Sequence, residues 1–225
     1  MARLFHRFVS NPYNILLIFL FLLFIFRPGD KGLVYEDIWK LLWIVVLLAA
    51  IFTCRHHRGI KIFAFILAIP MAIFSLTTLF NHRELFCVLH SILTIIFMIT
   101  CTVSIIINIV VIKSKVTMET MKGVVSAYLM VAFTFAHGYY LTEFLNPGSI
   151  LISDQTVSVY SYFQYLSKMF YFSFVTLLAI GYGDIVSVSD VAQSLAVMEG
   201  VIGQFYMAIL VAKLVSAYNR QPTKM

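Results

Sequence analysis

The stretch Thr176-Leu177-Leu178-Ala179-Ile180-Gly181-Tyr182-Gly183-Asp184 lies between two apolar segments that are each long enough to cross a membrane. Its two glycines alternate with larger residues, and glycine adopts left-handed backbone conformations that other residues reach only at a cost. Tetrapeptides such as Gly-Tyr-Gly-Asp also occur in ordinary turns, so the motif by itself decides little. Its meaning depends on the apolar segments around it and on the rest of the chain.

The composition is that of a polytopic membrane protein. The chain is 61% hydrophobic and only 12% charged, and its mean hydropathy is +0.95. These values lie far outside the range of soluble domains. Its 225 residues suffice for about six spans of ~20 residues with short loops, which leaves no room for a soluble ligand-binding domain. The runs that predict transmembrane helices are 13–26, 35–52, 60–80, 85–112, 124–144 and 191–218.

The charges between these runs predict the orientation, because short cytoplasmic loops carry an excess of lysine and arginine. Basic residues gather at alternate connections and at both ends, whereas the other connections are mixed and nearly neutral. Both termini are therefore expected in the cytoplasm. The net charge of +6 then reflects topology, and no basic groove indicates nucleic acid. The inner set is Arg3, Arg7, Arg55, Arg58, Lys61, Lys113, Lys115, Lys122, Lys213, Arg220 and Lys224, and the outer set is Arg27, Asp30, Lys31, Arg83, Glu84, Glu143 and Asp154.

Residues 160–180 form a further apolar segment that a hydropathy window would accept as a span. A seventh crossing would place the basic C-terminal end outside, against the charge rule. We predict instead a half-helix over about 162–178 that enters from outside and returns through the quoted stretch. Its C-terminal carbonyl dipoles would point at the membrane centre, where they stabilise a dehydrated cation. Irregular backbone at that depth is tolerated beside a water-filled path, which is the physical argument for a pore.

Residues 123–219 resemble the two-helix pore module of tetrameric potassium channels, especially bacterial ion channels with the lead-in Tyr-Phe-Ser-Phe-Val-Thr-Leu, here residues 171–177. The resemblance implies an all-α membrane protein with six transmembrane helices, a re-entrant pore helix, and four chains around one central pore. It implies an outer helix over 124–144, a pore helix over about 162–178, a selectivity filter over 179–184 and an inner helix over 191–218. Such a filter replaces the water around an ion with rings of backbone carbonyls.

The resemblance also implies roles for single residues. K⁺ would be the permeant ion, and aromatic side chains would form a cuff that buttresses Tyr182. Gly203 falls at the position of a hinge that lets the inner helices splay, and Gly200 is a second gating candidate in the same helix. The implied ion-binding residues are Ala179, Ile180, Gly181 and Tyr182, with Gly183 and Asp184 at the outer end, and the implied filter support is Thr176, Tyr171 and Phe172.

Two positions depart from the family pattern. The family usually has threonine where this chain has Ala179, and four missing hydroxyls in a tetramer would weaken the innermost ion site. Altered conductance and weaker barium block are expected, while the remaining carbonyl ladder favours potassium selectivity. Some members carry a glutamate at the position of Val175 that braces the filter against the outer aspartate, and that brace is absent here.

Glu199 places an acidic side chain at apolar depth, one turn before Gly203. Intramembrane carboxylates are costly and are functional candidates by default. Glu199 could attract cations in the pore, form a hydrogen bond behind the filter, sense pH or contribute to gating. The structural alternative is a hydrogen bond to the end of the pore helix, for example to Thr176.

The first four predicted helices, within residues 1–112, form a membrane domain of another kind. A voltage sensor needs a basic residue at about every third position of one helix. Residues 85–112 contain no arginine or lysine, so we predict a domain that does not sense voltage. Residues 113–122 are expected to be a cytoplasmic linker to the pore module.

Three functions remain open on the sequence. The first is a potassium-selective channel, and the second is a weakly selective cation channel in which Ala179 has degraded discrimination against sodium. The third is a non-conducting scaffold or receptor that retains a channel fold. No nucleophile, base or metal cluster converges in the sequence, so we expect no enzyme and no cofactor besides the permeant ion. The expected partners are other copies of the chain and membrane lipids.

Overall fold

The computed structural model describes residues 12–26, 33–54, 58–77, 84–109, 117–153 and 162–219. Within these residues the chain forms seven α-helices and two short β-strands. Each predicted apolar run contains one helix, and the predicted half-helix is helical as well. In chain order the elements are α1 Pro12–Ile25, α2 Leu33–Thr53, α3 Arg58–Thr77, α4 Glu84–Ile107, α5 Met118–Leu145, β1 Ile150–Ile152, α6 Tyr162–Leu177, β2 Ile185–Ser187 and α7 Asp190–Asn219.

Helix α5 begins earlier than the sequence predicts. The linker was expected to extend to residue 122, but the chain is helical from Met118. The Thr117 hydroxyl accepts a hydrogen bond from the Thr120 backbone N–H at 3.3 Å, and the Thr120 hydroxyl accepts one from the Thr117 N–H at 3.4 Å. This reciprocal capping box pairs N–H groups that a helix start otherwise leaves unsatisfied. The second half of the predicted linker is therefore the first turn of α5.

The two strands form a small antiparallel pair that the sequence did not predict. Ile150 lies opposite Ser187, and Ile152 lies opposite Ile185. Strands of three residues are too short to produce a recognisable alternation of apolar and polar residues. The pair brings the chain that follows α5 next to the chain that follows the quoted stretch.

Three of the described helices are long and apolar enough to cross a membrane, namely Leu85–Ile107, Glu119–Leu145 and Asp190–Leu210. Helix α1 contains a shorter apolar segment, Tyr13–Ile25. The six-span arrangement stays a prediction beyond these three helices.

Helix α5 is central to the packing and contacts α1, α4, α6 and α7. Aromatic rings fill the space between the N-terminal helices, α5 and α6. The ring of Phe133 in α5 lies 5.9 Å from Trp43 in α2 and 4.7 Å from Phe170 in α6. Large buried rings supply much of the apolar contact area of a core and favour edge-to-face packing. One side of α6 is thereby packed against an aromatic core.

Several predictions fall on residues whose placement is not described. Helix α4 was expected to reach residue 112, but 110–112 lie outside the described residues, as do 113–116 of the predicted linker. Most of the charges that predict the orientation are also outside them: Arg3, Arg7, Arg27, Asp30, Lys31, Arg55, Arg83, Lys113, Lys115, Asp154, Arg220 and Lys224.

Candidate functional site

Helix α6 ends where the quoted stretch begins. The N–H of Ile180 donates to the carbonyl of Val175 at 2.9 Å. The N–H of Ala179 donates to the carbonyl of Thr176, also at 2.9 Å. These two bonds form a Schellman motif, which closes a helix through one left-handed residue that is usually glycine. Here that residue is Ala179, with a φ of 55°, a conformation that costs an L-residue about 1–2 kcal/mol.

Left-handed residues recur at every second position after the helix end. Gly181 has a φ of 64° and Gly183 a φ of 80°, whereas Ile180 and Tyr182 have no positive φ. A Cβ atom on either glycine would meet nothing within 4 Å. Backbone conformation, rather than crowding, is therefore what requires glycine at these positions.

The side chains that alternate with the left-handed residues are exposed in one copy of the chain. Leu178, Ile180 and Tyr182 are 51%, 47% and 69% exposed. A cluster of large apolar side chains is seldom left in water unless something else covers it. The stretch therefore presents an apolar surface that one copy of the chain does not bury.

The outer end of the stretch is fixed to the loop that follows α5. The N–H of Ser153 donates to the carbonyl of Asp184 at 2.9 Å, next to the paired strands. The two carboxylate oxygens of Glu143 accept hydrogen bonds from the N–H groups of Gly148 and Ile150, each at 2.9 Å. The stretch is thus held by backbone hydrogen bonds at both ends, while its middle is exposed.

The residues predicted to support the stretch lie on α6. Phe172 is buried, and its ring lies 4.8 Å from Tyr139 in edge-to-face contact. Tyr171 is partly buried against the core. The hydroxyl of Thr176 donates to the Phe172 carbonyl at 2.9 Å, within the helix. The predicted buttress of Tyr182 by the two aromatic residues stays a prediction.

Glu199 is wholly buried and connects three helices. Its Oε2 accepts a hydrogen bond from the Tyr139 hydroxyl of α5 at 2.6 Å, and its Oε1 is hydrogen-bonded to the Ser173 hydroxyl of α6. The Ser173 hydroxyl also lies 2.7 Å from the Ala132 carbonyl oxygen of α5. The expected bond to the end of the half-helix is present, but with Ser173 rather than Thr176. Sequence reasoning missed Ser173 and Tyr139, which look like ordinary residues of apolar helices.

Gly203 is the point of closest approach between α7 and the end of α6. A Cβ atom on Gly203 would lie 2.3 Å from the Leu177 carbonyl oxygen. The same oxygen accepts a hydrogen bond from the Tyr128 hydroxyl at 3.1 Å. A Cβ atom on Gly200, by contrast, would meet nothing within 4 Å. Packing thus explains Gly203, while the predicted gating roles of both glycines stay predictions.

Residues 127–220 match a family model described as Ion channel. This part of the chain is therefore similar to an ion-channel family of the potassium-channel type. The match covers most of α5, all of α6, the stretch with its left-handed residues, and α7. Families of this type generally form oligomers. No curated protein and no solved structure matches the chain.

A buried polar cluster joins the ion-channel domain to the helix that precedes it. The Tyr162 hydroxyl, at the start of α6, lies 3.1 Å from Nδ1 of His90 and 3.0 Å from the Ser91 hydroxyl. Nδ1 of His137 lies 3.3 Å from the same serine hydroxyl. Sequence reasoning did not find this cluster, because its members come from three separate helices. Among the described residues, no group of three or more His, Cys, Asp or Glu side chains could hold a metal ion.

Proposed function

We propose that the protein is a potassium-selective channel that conducts K⁺ passively through a filter formed by residues 179–184. The observation that carries the proposal is the alternation of left-handed residues at Ala179, Gly181 and Gly183. In a regular extended strand, successive carbonyls point to opposite sides. Alternation of the sign of φ turns them toward one side, as a ladder of ion-coordinating carbonyls requires. The match of residues 127–220 to an ion-channel family model supports this proposal.

In the proposed filter, the carbonyl oxygens of successive residues replace the hydration shell of K⁺. No cofactor takes part, because a permeant ion needs only these oxygens and a path. Thr176, Tyr171 and Phe172 support the filter from α6. The proposed ion-binding residues are Ala179, Ile180, Gly181 and Tyr182, and Gly183 and Asp184 form the outer mouth.

We further propose a homotetramer, because one chain leaves uncovered the surfaces that a pore would use. Only 11% of the membrane-length apolar segment within Asp190–Leu210 is buried, compared with 56% of the corresponding segment within Glu119–Leu145. Val197, Phe205 and Ile209 of α7 are 68%, 65% and 64% exposed. Other copies of α7 and of the exposed filter side chains would cover these surfaces around a central axis.

The proposed topology has six spans in a cell membrane, with α6 re-entrant and both termini cytoplasmic. Helices α1 to α4 form a membrane domain that does not sense voltage, because residues 85–112 carry no basic side chain except that of His90. Helices α5 to α7 form the pore domain. Helix α5 begins at Met118, within the predicted linker.

A weakly selective cation channel is the second candidate, and Ala179 is the observation that favours it. Its methyl group supplies no oxygen where the family usually has a threonine hydroxyl. Restoration of the hydroxyl by Ala179→Thr would then raise the preference for K⁺ over Na⁺. A non-conducting scaffold is the third candidate, and it predicts no flux at all.

The test is ion flux from the purified protein in liposomes, with K⁺ and Na⁺ gradients compared for the wild type and for Gly181→Asp. Gly59→Asp is the control, because a side chain added at Gly59 also meets nothing within 4 Å, while Gly59 lies in α3, outside the stretch. We expect K⁺-selective flux in the wild type and in the control, and none in Gly181→Asp. Equal Na⁺ and K⁺ flux would favour the weakly selective channel. Absence of flux from the wild type in a verified tetramer would favour the scaffold.

A further inference from the structure

We infer that Glu199 acts as a neutral carboxylic acid that positions the end of α6, and with it the filter. The effect of Glu199 on the filter rests on the proposed function, whereas the protonation of Glu199 follows from its geometry alone. The side chain is completely buried and borders three helices at once. Among the described residues Glu199 takes part in no ion pair; the ion pair that occurs there joins Lys40 and Asp37. A buried carboxylate without a cation is strongly unfavourable.

The hydrogen bonds of the Ser173 hydroxyl indicate whether Glu199 is protonated. It carries one proton, yet it lies within hydrogen-bonding distance of the Ala132 carbonyl oxygen and of Glu199 Oε1. If Glu199 were ionised, both neighbours would be pure acceptors, and the serine could satisfy only one of them. The serine oxygen and the remaining acceptor oxygen would then lie in contact without a proton between them, which is repulsive.

A proton on Glu199 Oε1 resolves this conflict. The acid then donates to the Ser173 oxygen, and Ser173 donates to the Ala132 carbonyl. The Tyr139 hydroxyl donates to Glu199 Oε2 at 2.6 Å, so both oxygens of the acid have a partner. The result is a continuous hydrogen-bond chain from α5 through α7 and α6 back to α5. Fully satisfied buried networks of this kind fix one arrangement of the helices that they join.

The chain acts at the turn of α6 that holds the filter. Ser173 lies in the same last turn as Val175 and Thr176, whose carbonyls bind the N–H groups of Ile180 and Ala179. Displacement of this turn would move the first left-handed residue of the filter. Glu199 is therefore a positioning residue: it acts through Ser173 and does not itself coordinate the ion.

Among the groups that face one another at this site, the carboxylic acid of Glu199 is the one that we expect to lose a proton as the pH rises. From α5 it is faced by the phenol of Tyr139, which is neutral near pH 7. From α6 it is faced by the hydroxyl of Ser173, which does not titrate in this range. Loss of the proton would break the chain at Ser173, so alkaline conditions should weaken the hold on α6.

The test compares Glu199→Gln with Glu199→Leu and Ser173→Ala. Glutamine replaces the acid but not the carboxylate, because its amide NH₂ donates to Ser173 while its oxygen accepts from Tyr139. We expect Glu199→Gln to keep the K⁺ flux, the K⁺ preference and the thermal stability of the wild type, and to remove any loss at alkaline pH. Leucine and the serine variant should lower K⁺ flux at least about tenfold, because each breaks the chain. Equal loss in the glutamine and leucine variants would overturn the inference.

Infrared spectroscopy of the same proteins gives a readout that needs no ion flux. The wild type minus Glu199→Gln difference spectrum should contain the carbonyl band of a protonated carboxylic acid near pH 7. A difference spectrum with carboxylate bands alone would overturn the inference even if the channel conducts K⁺. The wild type could show no ion flux and still show the acid band, together with equal thermal stability of the wild type and Glu199→Gln. In that case the proposed function fails and the neutral acid is upheld.

Discussion

The two sides of the α6 end are stabilised in opposite ways. On the inner side, Ser173 and Glu199 are buried, and their polar atoms are paired within one chain. On the outer side, residues 178–184 have hydrogen bonds at their ends and exposed side chains in between. The polar groups of the buried side are paired in a single copy, whereas the side chains of the other side stay exposed in one copy. The proposed tetramer would cover this exposed side.

The largest effect should come from Tyr182→Ala. In a single chain this side chain is 69% exposed, so its removal should change stability by less than about 0.5 kcal/mol. In the proposed tetramer it is packed, and we expect K⁺ flux to be lost. Leu145→Ala is the control, because Leu145 is 78% exposed and lies outside the stretch. We expect this variant to conduct K⁺ like the wild type. Unchanged flux and selectivity in Tyr182→Ala would end the contrast between the two sides.

The next effect tests the buried side through two glycines of α7. Gly203→Ala places a methyl group 2.3 Å from the Leu177 carbonyl oxygen and should cost about 1–3 kcal/mol through forced separation of α7 and α6. Gly200→Ala meets nothing within 4 Å and should stabilise the helix by about 0.5–1 kcal/mol. Thermal unfolding in detergent compares the two variants. A Gly203→Ala protein as stable as Gly200→Ala would contradict the close contact.

A smaller effect is expected where the outer end of the stretch is fixed. Glu143→Ala removes two acceptors from the loop that carries β1, at a cost of about 1 kcal/mol after solvent screening. Hydrogen exchange should accelerate at the amides of Gly148, Ile150 and Ser153. Glu143→Gln keeps one acceptor oxygen and should give an intermediate rate. Exchange that matches the wild type in both variants would mean that the strand pair needs no support from Glu143.

The smallest effect is expected for Tyr128→Phe. The variant loses one neutral hydrogen bond to the Leu177 carbonyl but keeps the ring, so we expect a destabilisation of only about 0.5 kcal/mol. Tyr206→Phe removes a comparable bond to Val124, away from the α6 end. Both should unfold at a slightly lower temperature, and only Tyr128→Phe should alter K⁺ flux. Equal flux in the two variants would show that the Leu177 carbonyl does not influence the filter.

The helices could be predicted from the sequence because long apolar runs are strong local signals. The half-helix was expected to end near residue 178 and ends at Leu177. The start of α5 was wrong, because the reciprocal bonds of Thr117 and Thr120 outweighed the polar character of the preceding segment. The strand pair was missed, since three residues carry no periodic signal.

The candidate site was predictable only in part. Gly181 and Gly183 were recognised because glycine tolerates left-handed backbone and because the two occupy alternate positions of the quoted stretch. Ala179 was considered only for the hydroxyl that it lacks. Its left-handed conformation follows from the Schellman motif at the end of α6. Because that motif usually has glycine at this position, an alanine does not predict it. The gating roles and the ion sites remain proposals.

The sequence by itself determined the membrane character, the order of the helices and the position of the glycine motif, because these depend on local composition and backbone freedom. Only the tertiary structure decided which polar groups meet. Glu199 finds Ser173 and Tyr139 through the packing of α7 against α6 and α5, and their separations in sequence are too large for any local pattern to specify. Burial then makes each of these hydrogen bonds obligatory, which is why the fold, and not the sequence pattern, sets the state of the acid.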